Sequence, residues 1–189
     1  MEGFLCVISG PSGVGKGTIV KELMNERKDI ELSISVTTRY RRQGEVHGKH
    51  YFFVSQEEFS RLEKEGKLLE SAFVHGNRYG TPKDFVEEEI SKGKIVILEI
   101  DVQGAAQIRE SFDNAIYVFV LPPRMKDIED RLRNRATEDE DKIKLRVINS
   151  IEEFKQITKY DYFLLNDKVD SATERLNKFL DEERKLRQS

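Results

Sequence analysis

A glycine-rich stretch with one lysine near the amino terminus is the part of this sequence best suited to chemistry. Gly10, Gly15 and Lys16 fit the spacing G-x-x-x-x-G-K, between an apolar run at 4–8 and a helical pattern at 19–24. Glycines let backbone N–H groups turn towards an anion, the next helix adds the positive end of its dipole, and a lysine adds a point charge. The stretch therefore predicts a phosphate-binding loop made of Gly10, Pro11, Ser12, Gly13, Val14, Gly15, Lys16, Gly17 and Thr18.

The position after the lysine departs from the usual form of this motif. Gly17 stands where a hydroxyl-bearing residue normally faces Mg²⁺, so a hydroxyl ligand must come from Thr18 or from a water. Asp101 could also orient Mg²⁺ through a water, because it follows a buried apolar run and open α/β sheets bind ligands at the carboxyl ends of their strands. The alternative interpretation of Asp101 is a plain helix N-cap.

The rest of the chain predicts the scaffold that positions these residues. Short apolar runs at 95–100, 115–121 and 162–165 are typical of strands covered on both faces. A helix is expected to follow Thr81 as its N-cap, with Pro82 at the first helical position. Strands that alternate with helices predict an α/β fold with a parallel sheet flanked by helices. The later helices are predicted at 102–110, 124–135, 142–159 and 171–187.

One stretch, 34–80, breaks the alternation of strands and helices. It holds apolar runs at 33–36, 51–54 and 68–74 and one helical pattern at 56–65. Several short strands close together in sequence are not typical of the βα units on either side. We therefore expect a small strand-rich insertion that stands on the core.

Composition limits the class of protein. The chain has 189 residues, 38% of them hydrophobic and 35% charged, which predicts a single soluble domain with a heavily charged surface. A net charge of −3 argues against a general nucleic-acid binder. The single cysteine, Cys6, lies in the first apolar run, where we expect a buried small hydrophobe. No signal peptide or membrane span is evident, so the cytoplasm is the expected location.

A second cationic region follows at 37–51. It carries three arginines and nearby tyrosines in an otherwise slightly acidic chain. Guanidinium groups pair with phosphate oxygens in a bidentate way, which suits a second phosphate group. A solvated basic turn explains the composition equally well, and the two interpretations stay open at this point.

The order of residue types in this region resembles the signature of guanylate kinases. That signature runs from a Thr-Thr-Arg sequence through a second basic residue, an acidic residue and a glycine to Tyr-x-Phe. Further similar motifs follow at 76–81, 99–104, 122–123 and 166–167, so the resemblance covers essentially the whole chain. The positions of the signature are filled here by Thr37, Thr38, Arg39, Arg42, Glu45, Gly48, Tyr51 and Phe53.

The resemblance implies a P-loop nucleoside-monophosphate kinase. Its core would comprise 1–33, 81–124 and 160–189, its GMP-binding insertion 34–80, and its helical lid about 125–159. The implied reaction transfers the terminal phosphoryl group of ATP to GMP with Mg²⁺ and gives ADP and GDP. ATP and GMP would be its small-molecule partners.

Site residues follow from the same resemblance, residue by residue. The GMP phosphate would be held by Arg39, Arg42, Tyr51 and Tyr79, and guanine would be recognised by Ser35, Glu70, Thr81 and Asp101. Asn166 would lie near the adenosine. Charge on the transferring group would be neutralised by Lys16, Arg42, Arg131, Arg135 and Arg146, of which Arg131 and Arg135 are four apart on one helix face.

Base recognition also makes physical sense apart from the family. Guanine presents N1–H and N2–H donors, which the carboxylate of Glu70 can accept together, and the hydroxyls of Ser35 and Thr81 can donate to O6. Adenine would leave that carboxylate unpaired, and an unpaired buried polar group is a strong means of rejecting a near-isostere. The alternative for Glu70 is a solvated strand residue.

Two alternatives to a guanylate kinase are open. The first is a non-catalytic module of the same fold that binds protein partners, and modules of that kind tend to have lost phosphate-loop residues or lid arginines. Here Gly10, Gly15 and Lys16 are present, together with the arginines named above. The second is a kinase for another monophosphate, against which Glu70 and its neighbouring hydroxyls count.

Overall fold

The computed structural model describes residues 3–74, 76–134 and 140–188. The strands are β1 (Phe4–Ser9), β2 (Ile30–Leu32), β3 (Val36–Thr37), β4 (Phe52–Phe53), β5 (Leu68–Val74), β6 (Asn77–Pro82), β7 (Ile95–Glu99), β8 (Ala115–Leu121) and β9 (Tyr162–Leu165). The helices are α1 (Lys16–Glu26), α2 (Gln56–Lys64), α3 (Lys83–Ser91), α4 (Val102–Ser111), α5 (Met125–Asn134), α6 (Glu140–Phe154) and α7 (Val169–Leu186). A short 3₁₀ helix spans Ile157–Lys159.

Strand β1 lies at the centre of a five-stranded sheet, and every residue of β1 is buried. The strand order is β2-β7-β1-β8-β9, and each neighbouring pair is parallel. Because parallel strands carry helices on both faces, such strands are expected to be apolar throughout rather than alternating. The α/β class and the parallel sheet predicted from the sequence are confirmed.

The two faces of β1 pack against different helices. Phe4, Cys6 and Ile8 belong to one buried cluster, which also includes the apolar residues of α1 and α7. Leu5 and Val7 face the opposite cluster, with residues of α3 and α4. Successive side chains of a strand point to opposite sides, so one hexapeptide contributes to both halves of the core. Cys6 is fully buried, as expected, and burial raises the pKa of its thiol.

A second, four-stranded sheet is formed within residues 36–82, in the order β4-β3-β6-β5. Strands β5 and β6 pair in an antiparallel way, and β3 pairs with β4 in parallel. The strand-rich character of this stretch was predicted, but β6 was not. It was missed because Asn77–Pro82 contains a glycine and a proline, which normally weaken a strand assignment.

The start of α3 differs from the prediction. Thr81 is not an N-cap, because β6 continues through Pro82 and the helix begins at Lys83 with no side-chain cap. The Thr81 hydroxyl instead donates to the buried carboxylate of Glu70, 2.7 Å away. A Thr-Pro pair fits the sequence pattern of a helix start whether it begins a helix or ends a strand. Only the pairing of β6 with β5 shows that this pair belongs to the strand.

Three further boundaries differ. Ser33 and Ser35 lie outside the strands, because β3 begins at Val36. The edge strand β2 was not predicted, since three residues are too short for a pattern. Helix α6 ends at Phe154 rather than near 159, and the 3₁₀ helix follows it. Within the described residues, no helix is long and apolar enough to span a membrane.

An ion-pair network joins the end of α1 to α7. Asp29 accepts hydrogen bonds from Arg27 Nε and Nη2, at 3.0 and 2.7 Å, and from Arg184 Nη1. Both arginine side chains are only 12% exposed. The hydrogen bonds from Arg27 lower the pKa of Asp29 to about 2.

We predict that Asp29→Ala destabilises the protein by about 1–2 kcal/mol, because two largely buried guanidinium groups lose their shared acceptor. Urea unfolding measures this change. The exposed pair Glu174–Lys178 on α7 provides the control, and Glu174→Ala should change stability by less than about 0.5 kcal/mol. The folded-state pKa of Asp29 is depressed, so its contribution is present above pH 4 and is lost as pH falls towards 2. Equal effects of the two variants at pH 7 would contradict this account.

Candidate functional site

The phosphate-binding loop lies where β1 ends and α1 begins. Gly10 has φ of 140° and approaches β8 so closely that a Cβ atom would lie 2.5 Å from the carbonyl oxygen of Val120. Gly15 has φ of 99° and caps α1 in the left-handed conformation. These two positions require glycine for different reasons, space at the first and backbone conformation at the second. The loop therefore has the shape that the motif predicts.

Lys16 is the cation of this loop. Its ammonium group donates to the carbonyl oxygens of Gly10, at 2.5 Å, and Pro11, at 3.3 Å. The ammonium group thus lies against the loop itself, and Lys16 is also the first residue of α1. A phosphate bound there would be attracted both by the positive ammonium group and by the positive end of the helix dipole.

Asn166 contacts the backbone of the phosphate loop. Its side chain is buried and its amide donates to the carbonyl oxygen of Val14, at 2.7 Å. This contact joins the end of β9 to the phosphate loop. A role for Asn166 next to an adenosine stays a prediction, whereas its contact with the loop backbone was not expected from the sequence.

A cavity of about 230 Å³ opens beside the loop and brings together residues from both sheets. The phosphate loop contributes one side, and the four-stranded sheet contributes the opposite side. Several residues named from the sequence meet there, although they are up to 91 positions apart. The lining residues are Gly10, Ser12, Lys16, Ser35, Tyr51, Glu70, Ala72, Val74, Tyr79, Glu99, Ile100, Asp101 and Glu153.

Glu70 is the most deeply buried acid of this cavity, with 5% of its surface exposed. It is therefore not a solvated strand residue. Burial raises the pKa of Glu70 to about 7, with the nearby charge of Asp101 acting in the same direction and the hydrogen bond from Thr81 opposing both. A carboxyl group with such a pKa is poised to ionise when a ligand offers donors.

Helix α4 packs directly against the Glu70 carboxylate. A Cβ atom on Gly104 would lie 2.6 Å from Glu70 Oε2, which is a steric clash. Gly104 therefore makes room for this acid. The glycine belongs to a motif named in the sequence analysis, but nothing in the sequence indicated which side chain it accommodates.

Asp101 caps α4. Its Oδ1 atom accepts hydrogen bonds from the backbone N–H groups of Gln103, at 3.1 Å, and Gly104, at 2.9 Å. The alternative interpretation of Asp101 as an N-cap is thus correct. Asp101 also lines the cavity, so capping does not exclude contact of its carboxylate with a ligand or a hydrated ion.

Glu45 organises the basic region. Its carboxylate pairs with both terminal nitrogens of Arg39, at 2.7 and 3.1 Å, and also accepts from the backbone N–H of Arg42, at 2.7 Å. The Arg39 guanidinium lies 5.3 Å from the ring centre of Tyr51, whose ring lies 6.0 Å from that of Tyr79. The region is therefore an ordered cluster, with the Arg42 side chain exposed at its edge. The sequence alone did not suggest this role for Glu45.

Glu153 of α6 is a lining residue that sequence reasoning missed. Its Oε2 atom is buried and has no hydrogen-bond partner among the described residues. Burial raises the pKa of Glu153 to about 7, while the nearby charge of Lys16 acts in the opposite direction. It follows Arg146 by seven positions, and this helical spacing was the one available signal that both belong to a single face.

The structure describes the predicted lid arginines only in part. Arg131 lies in α5 and Arg146 in α6, and their side chains are outside the described part of the structure. Arg135 lies outside the described residues altogether. Their placement over the cavity stays a prediction.

Comparison with known proteins gives the same picture as the geometry. A family model described as guanylate kinase matches residues 3–183. A guanylate kinase of Caldanaerobacter subterraneus subsp. tengcongensis is 49% identical, covering 93% of this chain and 85% of the relative. One from Syntrophomonas wolfei is 45% identical, covering 97% and 94%.

A solved structure is also similar. The crystal structure of guanylate kinase from Anaplasma phagocytophilum superimposes with a TM-score of 0.81 at 32% identity, covering 96% of this chain and 86% of that chain. The family model and the relatives span almost the whole length of the chain. The chain therefore belongs to the guanylate kinase family.

Proposed function

We propose how the residues of this cavity carry out the reaction of the family, the transfer of the terminal phosphoryl group of ATP to GMP. One observation carries the proposal: the buried carboxylate of Glu70 and the ammonium group of Lys16 line the same cavity. The first suits a base with two adjacent donors, and the second suits a phosphate. GMP with its base on Glu70 would then lie beside the donor phosphates that Lys16 binds.

Guanine is recognised by Glu70 in this proposal. Its carboxylate accepts N1–H and N2–H, and the hydroxyl of Thr81 holds one carboxylate oxygen in place at 2.7 Å. Because that hydroxyl already donates to Glu70, we assign Thr81 to positioning the acid rather than to donating to O6. Ser35, which lines the cavity, remains the candidate donor to O6.

The GMP phosphate is held by the cluster around Glu45. Arg39 and Arg42 supply the positive charge, and Tyr51 and Tyr79 supply hydroxyl donors. Burial is the main cause that raises the pKa of Tyr51, so its hydroxyl keeps its proton at neutral pH. A protonated phenol donates a hydrogen bond to a phosphate oxygen without adding negative charge.

The donor nucleotide is held by the phosphate loop. In transfer, Lys16 exchanges the carbonyl oxygens of Gly10 and Pro11 for phosphate oxygens, and the arginines Arg131, Arg135 and Arg146 neutralise the remaining charge. Phosphoryl transfer depends mainly on such positioning and charge neutralisation, and it requires no general base from the protein. Closure of 34–80 and about 125–159 over the core would exclude water from the γ-phosphate.

A divalent metal is part of this proposal, and Mg²⁺ is the ion that fits the donors. Thr18, Glu99 and Asp101 offer hard oxygen atoms at the loop and at the carboxyl end of β7. Among the described residues no group of three or more acids, histidines or cysteines could hold a metal by itself. Mg²⁺ typically binds through substrate phosphates with one or two carboxylates and waters, which matches this donor set. When bound, it neutralises charge on the phosphates.

The alternative of a protein-binding module has no observation in its favour. The phosphate loop retains its glycine geometry and its lysine. The core, insertion and lid boundaries given above remain part of the proposal, as does a cytoplasmic location. A coupled assay of ADP release with ATP and GMP, AMP, CMP or UMP tests the function directly, and turnover restricted to GMP is the expected result.

We predict that Lys16→Met lowers kcat by at least about 100-fold, because one charge on the transferring group is lost. The dissociation constant for GMP, measured by calorimetry, should change less than threefold, since Lys16 contacts the donor phosphates in this proposal. Near-normal turnover would remove the loop lysine from the mechanism. A variant that no longer bound GMP would instead show that Lys16 holds the acceptor.

Glu70→Gln should lower kcat/KM for GMP by about 100-fold or more and shrink the preference for GMP over AMP. The amide has one acceptor and one donor, so it cannot accept from both N1–H and N2–H. For the unaltered protein, KM for GMP should rise as pH falls below 7, because the raised pKa leaves more of the free Glu70 protonated. This rise should be absent in Glu70→Gln. An unchanged base preference would contradict the account of guanine recognition.

Gly104→Ala is predicted to raise KM for GMP at least tenfold, because the new methyl group displaces Glu70 Oε2. Steady-state kinetics and thermal unfolding separate this effect from loss of folding. Gln103→Ala, one residue away at an exposed position of the same helix, is the control and should behave like the unaltered protein. Equal KM values for all three proteins would show that the space beside Glu70 is not needed.

A further inference from the structure

The strand that carries Glu70 is irregular at that residue. Leu68 of β5 lies opposite Pro82 of β6 and Ser71 lies opposite Gly80, so three steps along β5 match only two along β6. Such a β-bulge turns the side chains within it and leaves the strand less firmly paired. Glu70 lies inside this bulge, and its position therefore depends on contacts other than the pairing of the two strands.

A side chain of α4 takes the place of a neighbouring strand directly after the bulge. Strand β5 is at the edge of the four-stranded sheet, so one side of its backbone has no strand next to it. Gln107 Oε1 accepts a hydrogen bond from the backbone N–H of Ser71 at 3.1 Å, and Gln107 Nε2 donates to the carbonyl oxygen of Ser71 at 2.6 Å. One amide group thus pairs with both backbone groups of the residue that follows Glu70.

The same face of α4 also meets Glu70 itself. Gly104 and Gln107 are three positions apart, which makes them neighbours on one side of the helix. Gly104 leaves room for Glu70 Oε2, and Gln107 holds the backbone of Ser71. Helix α4 therefore contacts both the acid and the piece of strand that carries it.

Charged groups of two other elements surround this contact. The hydroxyl of Ser71 donates to Glu63 of α2 at 2.6 Å, and Glu63 forms an ion pair with Arg78 of β6. On α4 itself, Glu110 follows Gln107 by one turn. Ser71 is thus held through its backbone by α4 and through its side chain by α2.

We propose that Gln107 is a positioning residue for guanine recognition. It fixes the backbone of β5 beside the bulge and so keeps the Glu70 carboxylate in the cavity where the base binds. Gln107 acts through Ser71 and Glu70, and it has no contact with the base in this proposal. The inference rests on the proposed function, in which Glu70 accepts N1–H and N2–H of guanine.

The first test replaces the amide. Gln107→Ala should weaken GMP binding, measured by calorimetry, by at least about fivefold, because two hydrogen bonds beside the bulge are lost. KM for GMP should rise to the same extent, while KM for ATP and kcat at saturation stay within about twofold. Gln103→Ala, the same substitution one turn earlier at an exposed position, is the control and should bind GMP like the unaltered protein. A lower melting temperature with unchanged GMP affinity would show a purely structural role and overturn the proposal.

The second test uses Gln107→Glu and pH. A protonated carboxyl group has one donor and one acceptor, as the amide has, whereas a carboxylate only accepts and repels the carbonyl oxygen of Ser71. The ordinary pKa of glutamic acid is about 4.3, and both the hydrogen bond to that carbonyl and the nearby charge of Glu63 favour the protonated form.

We therefore expect GMP binding to Gln107→Glu to be at least about tenfold weaker than to the unaltered protein at pH 7.5. At pH 5 it should come within about threefold of the unaltered protein and exceed that of Gln107→Ala. Comparing proteins at equal pH cancels the titration of Glu70, which all of them share. Equal binding by the Glu and Ala variants at both pH values would overturn the contact as the cause.

A double-mutant cycle tests whether Gln107 acts through Glu70. In the Glu70→Gln background, Gln107→Ala should lower kcat/KM for GMP by less than about twofold, because the acid that it positions is already gone. A full fivefold effect in that background would overturn the proposal. Failure of the proposed function looks different, since the unaltered protein would then not turn over GMP, or Glu70→Gln would leave GMP binding unchanged.

Discussion

The position of β1 between β7 and β8 is the constraint on which the site depends. All three strands are parallel, so their carboxyl ends meet at one edge of the sheet. The phosphate loop leaves β1 at this edge, where Glu99 is the last residue of β7 and Asp101 follows that strand. The loop can lie so close to β8 only because Gly10 has no side chain. Open α/β sheets generally bind ligands at such an edge, where the strand order reverses.

Negative charge is the second organising feature of the cavity. Among its described lining residues, four carry carboxyl groups, namely Glu70, Glu99, Asp101 and Glu153, whereas Lys16 is the one cation. Burial raises the pKa of Glu70 and of Glu153 to about 7, so partial protonation of these two acids near neutral pH reduces the repulsion. In the proposed function, a metal ion and arginines from neighbouring elements offset these acids when phosphates bind. This arrangement agrees with a reaction whose main demand is charge neutralisation.

Close backbone packing determines where the acids point. Gly104 leaves room for Glu70 and Gly17 leaves room for Glu99. In each case a helix start without a side chain lies against a carboxylate from a neighbouring strand. The same arrangement thus recurs at both ends of the cavity, beside the buried acid that we assign to the base and beside the loop that we assign to the donor phosphates. Glu70 is held by packing from elements distant in sequence, whereas Glu99 is exposed at the end of its strand.

Apart from the site residues, most of which the resemblance to guanylate kinases implied, the amino-acid sequence by itself determined the fold class and the phosphate loop. These features have local causes: continuous apolar runs for parallel strands, and glycine spacing for the loop. Only the tertiary structure decided that Thr81 belongs to a strand and holds Glu70, that Glu45 organises the arginines, and that Glu153 enters the cavity. Each of these depends on a contact between residues far apart in the chain or on burial. A local pattern of residue types shows neither such contacts nor burial.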